Sequence, residues 1–341
     1  MKFSRYPLLE KLVSLDSPTG FTEEAALFIC ETLESYGLKP HTTRKGSVRC
    51  ALGDNPVLAL TAHFDTLGAM VSGVNPDGTL AFAPVASLPL TSAEGEYVQV
   101  ISAGGARVQG TLLLNNPSSH ANGKRETTER SPETMHIRLD EEVSSKEDVH
   151  TLGIRVGDFI AFEPRFREFD NGYIKSRFMD NKAGCYVLFE VARRLGEQNK
   201  KYPIELHFSN YEEVGHGGAT GYAPSVEDLL VVDMGVVGDP CQGTETACSI
   251  CAQDSMGPYD YRFRSELVAL AERRGIPYRL DVYPYYSSDG LAALEAGYDF
   301  RVALIGPGVS ASHGVERTHK KGIEATIDLC LAYIETHVAH P

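Results

Sequence analysis

No apolar run in this chain approaches the ~20 residues that a membrane span needs. Met1 to Pro7 leads into an amphipathic stretch without the apolar core of a signal peptide. Basic residues are in deficit, with 32 Lys and Arg against 46 Asp and Glu and a net charge of −14. Phosphate binding needs a basic surface, so nucleic acid is not expected as a partner. The cysteines number seven, an odd and scattered set, which argues against a disulfide framework and for free thiols in a reducing compartment, the cytoplasm. Cys248 and Cys251 form a Cys-x-x-Cys with no second pair, which favours two ordinary thiols over a zinc or redox site. No Gly-x-Ser-x-Gly elbow occurs, which weakens a serine-hydrolase reading. There is no internal repeat. What remains is a globular composition, 42% hydrophobic and 23% charged over 341 residues, long enough for a large core and two domains.

The chain changes texture twice. Apolar residues at 8, 9, 12, 13 and 15 predict a helix over Leu8 to Leu15. Ser17-Pro18-Thr19-Gly20 breaks it, and a second helix runs from Thr22 to about Tyr36, closed by Gly37. From about Gly68 to Pro164 short alternating segments are punctuated by Gly, Pro, Asn and Ser, and Val98 to Gly110 has hairpin grammar around Gly104-Gly105. Strand–helix alternation resumes after about residue 170. The simplest account is an α/β domain formed by residues 1–67 and 166–341, interrupted by an all-β insert at 68–165. Asn122 to Thr134 is polar without apolar periodicity and reads as a mobile loop inside the insert.

Acidic and histidine residues recur where apolar strands end. Ile204 to Phe208 leads to Glu212-Glu213, Val57 to Ala62 leads to His63-Phe64-Asp65, and Leu229 to Val232 leads to Asp233. Val302 to Ile305 is followed by Ser312-His313 after an expected Gly306-Pro307-Gly308 turn, and Asp180 stands before a helix-like run ending at Leu195. Each fragment has a bland reading, since Asp after a strand is commonly a helix cap and Glu-Glu a solvated face. Ligands in open α/β sheets, however, gather beyond the carboxyl ends of strands. The ordered set of His63/Asp65, Asp180, Glu212/Glu213, Asp233 and His313 reads as a dinuclear metal hydrolase. Imidazole and carboxylate donors suit zinc-type sites, and two ions ~3.5–4 Å apart suit attack of activated water on a carbonyl. One carboxylate must then bridge the ions, and one free carboxylate must move the proton. Asp65 is expected to fix the tautomer of His63. His207 and His216 read as structural or solvated, and His319 as a neighbour of the site.

These residues resemble the tetrahedral and glutamyl aminopeptidases, peptidase family forty-two, a di-metal family that also holds proteins labelled endoglucanase. The anchors are Ser17-Pro18-Thr19-Gly20, Ala62-His63-Phe64-Asp65, Met179 to Gly184, Glu212-Glu213-Val214-Gly215, Asp233 and His313. The resemblance implies that Asp180 bridges two metals, that His63 and Asp233 complete one site, and that Glu213 and His313 complete the other. It makes Glu212 the general base, with Asp65 beside it in the catalytic set, and places a cis peptide at Asp180-Asn181. It further implies two divalent ions per chain, zinc first with cobalt or manganese as alternatives. Asp289 and Glu316 fall at pocket positions. The long gap between Asp65 and Asp180 matches the family's inserted β domain, which serves self-assembly. Ala311 to His319 departs from the usual His-Ser-Pro. With Met256 to Tyr261 and Tyr285 to Asp289, it resembles a bacterial subgroup found beside enzymes that make an acetylated glutamine-dipeptide osmolyte.

The expected fold is therefore a three-layer α/β domain with a mixed sheet and an inserted β-barrel-like domain. The expected activity is removal of N-terminal residues from short peptides, or hydrolysis of a related small amide, by a homo-oligomer between a dimer and a dodecamer. Membrane is not an expected partner. A deacylase or dipeptidase for an acetylated dipeptide is the alternative within the class, and a non-catalytic metal-binding assembly protein is another. A glycoside hydrolase using Glu212 and Glu213 needs carboxylates flanking the scissile bond ~5–9 Å apart and leaves His63 and His313 without a task.

Overall fold

The computed structural model describes residues 4–198 and 200–338. Four strands, Ile204–Ser209, Leu58–His63, Asp228–Val232 and Arg301–Ser310, lie side by side and parallel in that order. Nearly every side chain in them is buried, as strands covered on both faces require. Alternate residues feed two cores, because a strand's side chains alternate between faces. Leu58, Leu60, Ala62, Leu230, Val232, Ala303 and Ile305 join the helices Pro7–Ser14, Glu23–Ser35, Met179–Glu197, Tyr261–Arg274 and Lys320–Tyr333. Ala59, Leu229, Val231, Val302 and Leu304 join Leu291 and Ala293 of the helix Asp289–Glu295. The result is the expected three-layer arrangement. Antiparallel strands complete the mixed sheet, Val48–Ala51 beyond one edge of the parallel block, and Glu316–His319 and Tyr173–Ser176 beyond the other.

Six antiparallel strands form a separate closed barrel, in the order Gly68–Val74, Leu80–Val85, Met135–Leu139, Arg107–Leu114, Tyr97–Ile101 and Phe159–Phe162. Its interior is its own apolar cluster, including Val71, Leu80, Phe82, Val98, Val100, Leu112, Ile137 and Ile160. Closure leaves no unpaired sheet edge. The segment is not purely β. Short helices occur at Leu90–Ala93 and Lys146–Thr151, the second started by the Ser145 side chain accepting from the Asp148 N–H.

One further expectation needs correction. Gly306-Pro307-Gly308 is not a turn, because the strand Arg301–Ser310 runs straight through it. The glycines serve close approach instead: a Cβ at Gly306 would lie 1.6 Å from the Asp233 carbonyl oxygen, and one at Gly308 2.2 Å from that of Thr244. The polar stretch at 122–134 is a loop with one short 3-10 turn, Arg125–Thr127, and makes ion pairs to Glu94. Arg125 and Arg130 both pair with Glu94, at 3.1 and 2.7 Å, and Arg130 also donates to the carbonyls of Arg125 and Thr128.

No helix among the described residues is long and apolar enough to cross a membrane, and all seven cysteines are free. His207, in the strand Ile204–Ser209, is fully buried, packs edge-on against Tyr222, and has no hydrogen-bond partner on either ring nitrogen among the described residues. Burial, reinforced by Arg49, Lys45 and His41, pushes its pKa down to about 3. The folded state therefore keeps His207 neutral where the unfolded chain takes up a proton. Stability from this group is lost as pH falls from about 6.5 towards 3. His207→Phe is expected to flatten the acid limb by up to ~1.4 kcal/mol per pH unit. Urea midpoints of both proteins between pH 7 and 4 test this, and parallel pH profiles would refute it.

Candidate metal centre

The parallel register sets Ser209 opposite His63, so both strands end at one level and their following residues meet. Asp233 follows the neighbouring strand, and Asp180 lies at the start of the helix Met179–Glu197, across a cis Asp180-Asn181 peptide. Glu212 and Glu213 open a single 3-10 turn after Tyr211, whose φ is +73°. His313 itself has φ +63°, in the turn between the strands Arg301–Ser310 and Glu316–His319. Non-glycine residues in this left-handed region persist where the surroundings over-determine them. Phe178, Tyr211, Ala311 and His313 all adopt it beside the predicted ligands.

The seven predicted site residues converge. His63 Nε2 lies 3.1 Å from Asp180 Oδ1, 3.6 Å from Glu212 Oε2 and 3.9 Å from Asp233 Oδ1. His313 Nε2 lies 3.6 Å from both Asp180 Oδ2 and Glu213 Oε2. Asp180 therefore turns one oxygen to each imidazole. Two three-residue groups have donor atoms spaced as a metal ion needs: His63, Glu212 and Asp233, and His63, Asp180 and Glu213. Distance alone thus makes Glu212 as good a ligand as Glu213.

The proton positions on the imidazoles show that these donors fit cations. His63 Nδ1 is 3.0 Å from the Asp65 carbonyl oxygen, and His313 Nδ1 is 3.2 Å from that of Ser87. A carbonyl has no proton to give, so Nδ1 carries it in both rings. A neutral ring then turns an Nε2 lone pair towards the carboxylate oxygens and can ligate a cation between them, whereas a proton on Nε2 makes a hydrogen bond to Asp180 in the cation's place. Burial pushes the Glu212 and Glu213 carboxyls well above the usual range and Asp233 up to about 7, and neighbouring carboxylates add to each. For His63, burial opposes charging but Glu212, Asp180 and Asp233 outweigh it, so its pKa rises well above normal. Without a metal, protons take the cation's place.

Asp65 acts differently from the expectation. Its carboxylate is 3.7 Å from His63 Nδ1, too far for a hydrogen bond, and its backbone carbonyl holds the tautomer. The carboxylate instead accepts from the Glu212 and Glu213 N–H groups at 3.2 and 3.3 Å, and from Thr19 Oγ1 at 2.7 Å. That contact accounts for the Ser17-Pro18-Thr19-Gly20 motif, which lies against Phe64 to Thr66 through Ser17 and a Pro18–Thr66 bridge. Glu316, expected among the pocket residues, plays the matching part: it accepts from the Asp180 N–H at 3.1 Å and the His313 N–H at 2.9 Å. Its position three residues after His313 was the one sequence cue. Asp289 accepts from Ser209 and Thr61 beneath the Glu-Glu turn. His319 does not reach the metal donors, since its ring bonds Asn171 O and Lys321 N. His216 is exposed and stacks on Tyr211, and Cys248 and Cys251 are buried thiols.

Clustered imidazoles and carboxylates at parallel strand ends define a metallohydrolase class of site. The family model for M42 glutamyl aminopeptidase matches residues 46–329, and the chain belongs to that family. Candidate aminopeptidase YhfE of Bacillus subtilis (strain 168) is 40% identical over 334 residues, 96% of each chain. Among solved structures, a TET aminopeptidase from a marine sediment Thaumarchaeota archaeon has a TM-score of 0.87 at 21% identity, covering 97% of this chain and 96% of that one. The TET1 peptidase of Pyrococcus horikoshii, which assembles into a tetrahedron or a large octahedral shell, has a TM-score of 0.86 at 21% identity, covering 97% and 99%. At that identity the structures show the shared fold, while the family membership makes this chain a peptide hydrolase of the aminopeptidase type.

The geometry around Glu316 generates a test. Glu316→Gln keeps the shape but offers one acceptor for two N–H groups and turns an NH2 against the other. Divalent-metal affinity is expected to fall about 10–100-fold, the range for residues that orient ligands, with the circular dichroism spectrum unchanged. Calorimetric titration giving the wild-type affinity would refute this positioning role.

Proposed function

We propose that this chain is a dinuclear metal-dependent aminopeptidase that removes N-terminal residues from short peptides. The observation that carries the reading is the pair of imidazoles, each with Nδ1–H given to a backbone carbonyl and Nε2 aimed at a different oxygen of Asp180. In this proposal His63 and Asp233 hold one ion, Glu213 and His313 hold the other, and Asp180 serves both. Two divalent cations, zinc first, with cobalt and manganese suited to the same donors, supply Lewis-acid polarisation of the scissile carbonyl and activation of water when bound. Glu212 is assigned the proton work. Glu212 and Glu213 are set apart by context: Glu213 pairs with His313 on the bridge side, whereas Glu212 also lines a second compartment of the cleft. Glu212 would take the proton of the attacking water and return it to the leaving amine. Asp65 fixes the Glu-Glu turn so that the two carboxylates keep separate roles.

Glu212→Gln is expected to lower kcat by about 10²–10⁴ with metal retained, whereas Glu213→Gln should lose metal. Metal content and turnover of leucyl-p-nitroanilide check both, and reversed phenotypes would exchange the assignments. The same assay on the acetylated anilide separates the classes: preferential turnover of the blocked substrate would replace this reading with the acetylated-dipeptide deacylase suggested by the subgroup resemblance.

We also propose that residues 68–165 form a unit for assembly, within a homo-oligomer that admits short flexible peptides and works in a reducing compartment, the cytoplasm. The closed barrel, the free thiols and the fold shared with a shell-forming peptidase support this. A dimer or larger assembly is expected by light scattering at micromolar concentration, and a monomer there would remove the assembly role.

A further inference from the structure

The cleft above the metal donors has a volume of about 640 Å³. A side compartment of about 210 Å³ opens from it, with Glu212, Gly215 and Ser287 lining both. Its apolar walls are Met256, Leu291 and Ala292, and its charged groups besides Glu212 are Asp289 and Glu295. Asp289 is 2% exposed, with one oxygen held by Ser209 and Thr61 and the other lying against the Gly217-Gly218 backbone. Among the described residues, neither compartment is lined by a lysine or arginine, and His313 is the one basic side chain on either wall. Nearby cations line neither compartment and have partners of their own, the Lys45 charge also acting on Asp289. Lys45 donates to the His216 and Gly217 carbonyls. Arg177 is 2% exposed, donates to Ser92 O and pairs with Glu96 at 3.1 Å.

The geometry points to the side compartment as the seat of the substrate's N-terminal side chain, selecting apolar or cationic residues against acidic ones, with Glu295 and Asp289 setting the sign. The proposal rests on the aminopeptidase reading and deepens it. The compartment holds a leucine- or lysine-sized side chain, and its apolar walls reward burial of a hydrocarbon stem. An acidic side chain entering it would give up water and meet like charges with no cation to pair it, which is discrimination by repulsion. A family named for glutamyl substrates thus has here a member whose side compartment is lined by no countercharge for one.

The test uses the full chain reconstituted with divalent metal and compares kcat/KM for leucyl-, lysyl- and glutamyl-p-nitroanilide. Leucyl and lysyl substrates are expected to exceed the glutamyl one by about tenfold or more. Glu295 is exposed at the last residue of its helix, where a cation is tolerated, so Glu295→Lys tests the sign without disturbing the core. It should shift the lysyl-to-glutamyl ratio towards glutamyl by about tenfold, while the same charge reversal at the exposed Asp54 leaves that ratio in place. Inhibition constants of free lysine and glutamate provide a readout independent of turnover and should shift in the same sense. A glutamyl substrate turned over as well as the others, or equal ratios in both charge-reversed variants, overturns the specificity proposal and leaves the aminopeptidase reading standing. Turnover of acetylated substrates alone overturns both.

Discussion

Buried like charge is the constraint on which this structure depends. Asp180, Glu212, Glu213 and Asp233 crowd around two imidazole nitrogens with little access to solvent, and in the protein alone they repel one another. A cluster of this kind does not assemble itself. It is held by backbone, and the backbone is held by other buried carboxylates. Asp65 gathers the N–H groups of Glu212 and Glu213, and Glu316 gathers those of Asp180 and His313. The parallel strands fix the level at which these residues emerge, and the close approach of Gly306 to the Asp233 carbonyl brings the outer strand against the site. Cations would offset the repulsion among the four ligand-distance carboxylates, while Asp65 and Glu316 accept from backbone N–H groups; burial and Asp180 still push the Glu316 carboxyl well above its usual range.

The barrel is structurally part of this arrangement even though none of the clustered donors comes from it. His313 donates its Nδ1 proton to Ser87, which follows the barrel strand Leu80–Val85. Arg177, three residues before the Asp180 carboxylate, is buried against Ser92 and Glu96 from the same segment. An ion pair withdrawn from water is weak evidence for stability but strongly directional, and here it ties the approach to Asp180 to the barrel side. Ser87 and Pro89 also form one wall of the cleft. A change in how the barrel packs would therefore reach the site through His313's ring orientation and through Asp180's backbone.

Much of the donor set was legible in the sequence because its signals are local. An apolar run ending in His63, Asp233 or the Glu-Glu pair marks a strand and the residues its end delivers, and the parallel order then brings those ends together. The helix beginning near Pro7 showed through its apolar spacing, and the one beginning near Glu23 through the break before it and Gly37 after it. Gly306-Pro307-Gly308 misled because glycine supplies two different properties. Turn chemistry uses its freedom at positive φ, whereas here the backbone stays extended and uses the missing Cβ.

The supports for the site were hidden for a deeper reason. A side chain that binds a metal is recognised by its type, and its partners are other recognisable side chains. Asp65 and Glu316 bind backbone N–H groups, which every residue except proline offers, so no residue type at the receiving end betrays the contact. Asp65 stood out by its place two residues after His63, which suggested an imidazole as its partner. The turn at Tyr211 instead delivers two N–H groups to that carboxylate and leaves the imidazole to the carbonyl of the same residue. Choosing between these partners needs the positive φ of Tyr211, a property of a residue with a Cβ that its sequence neighbours do not announce. The clustered imidazoles and carboxylates are thus written in residue types, whereas the groups that aim them are written in backbone conformation.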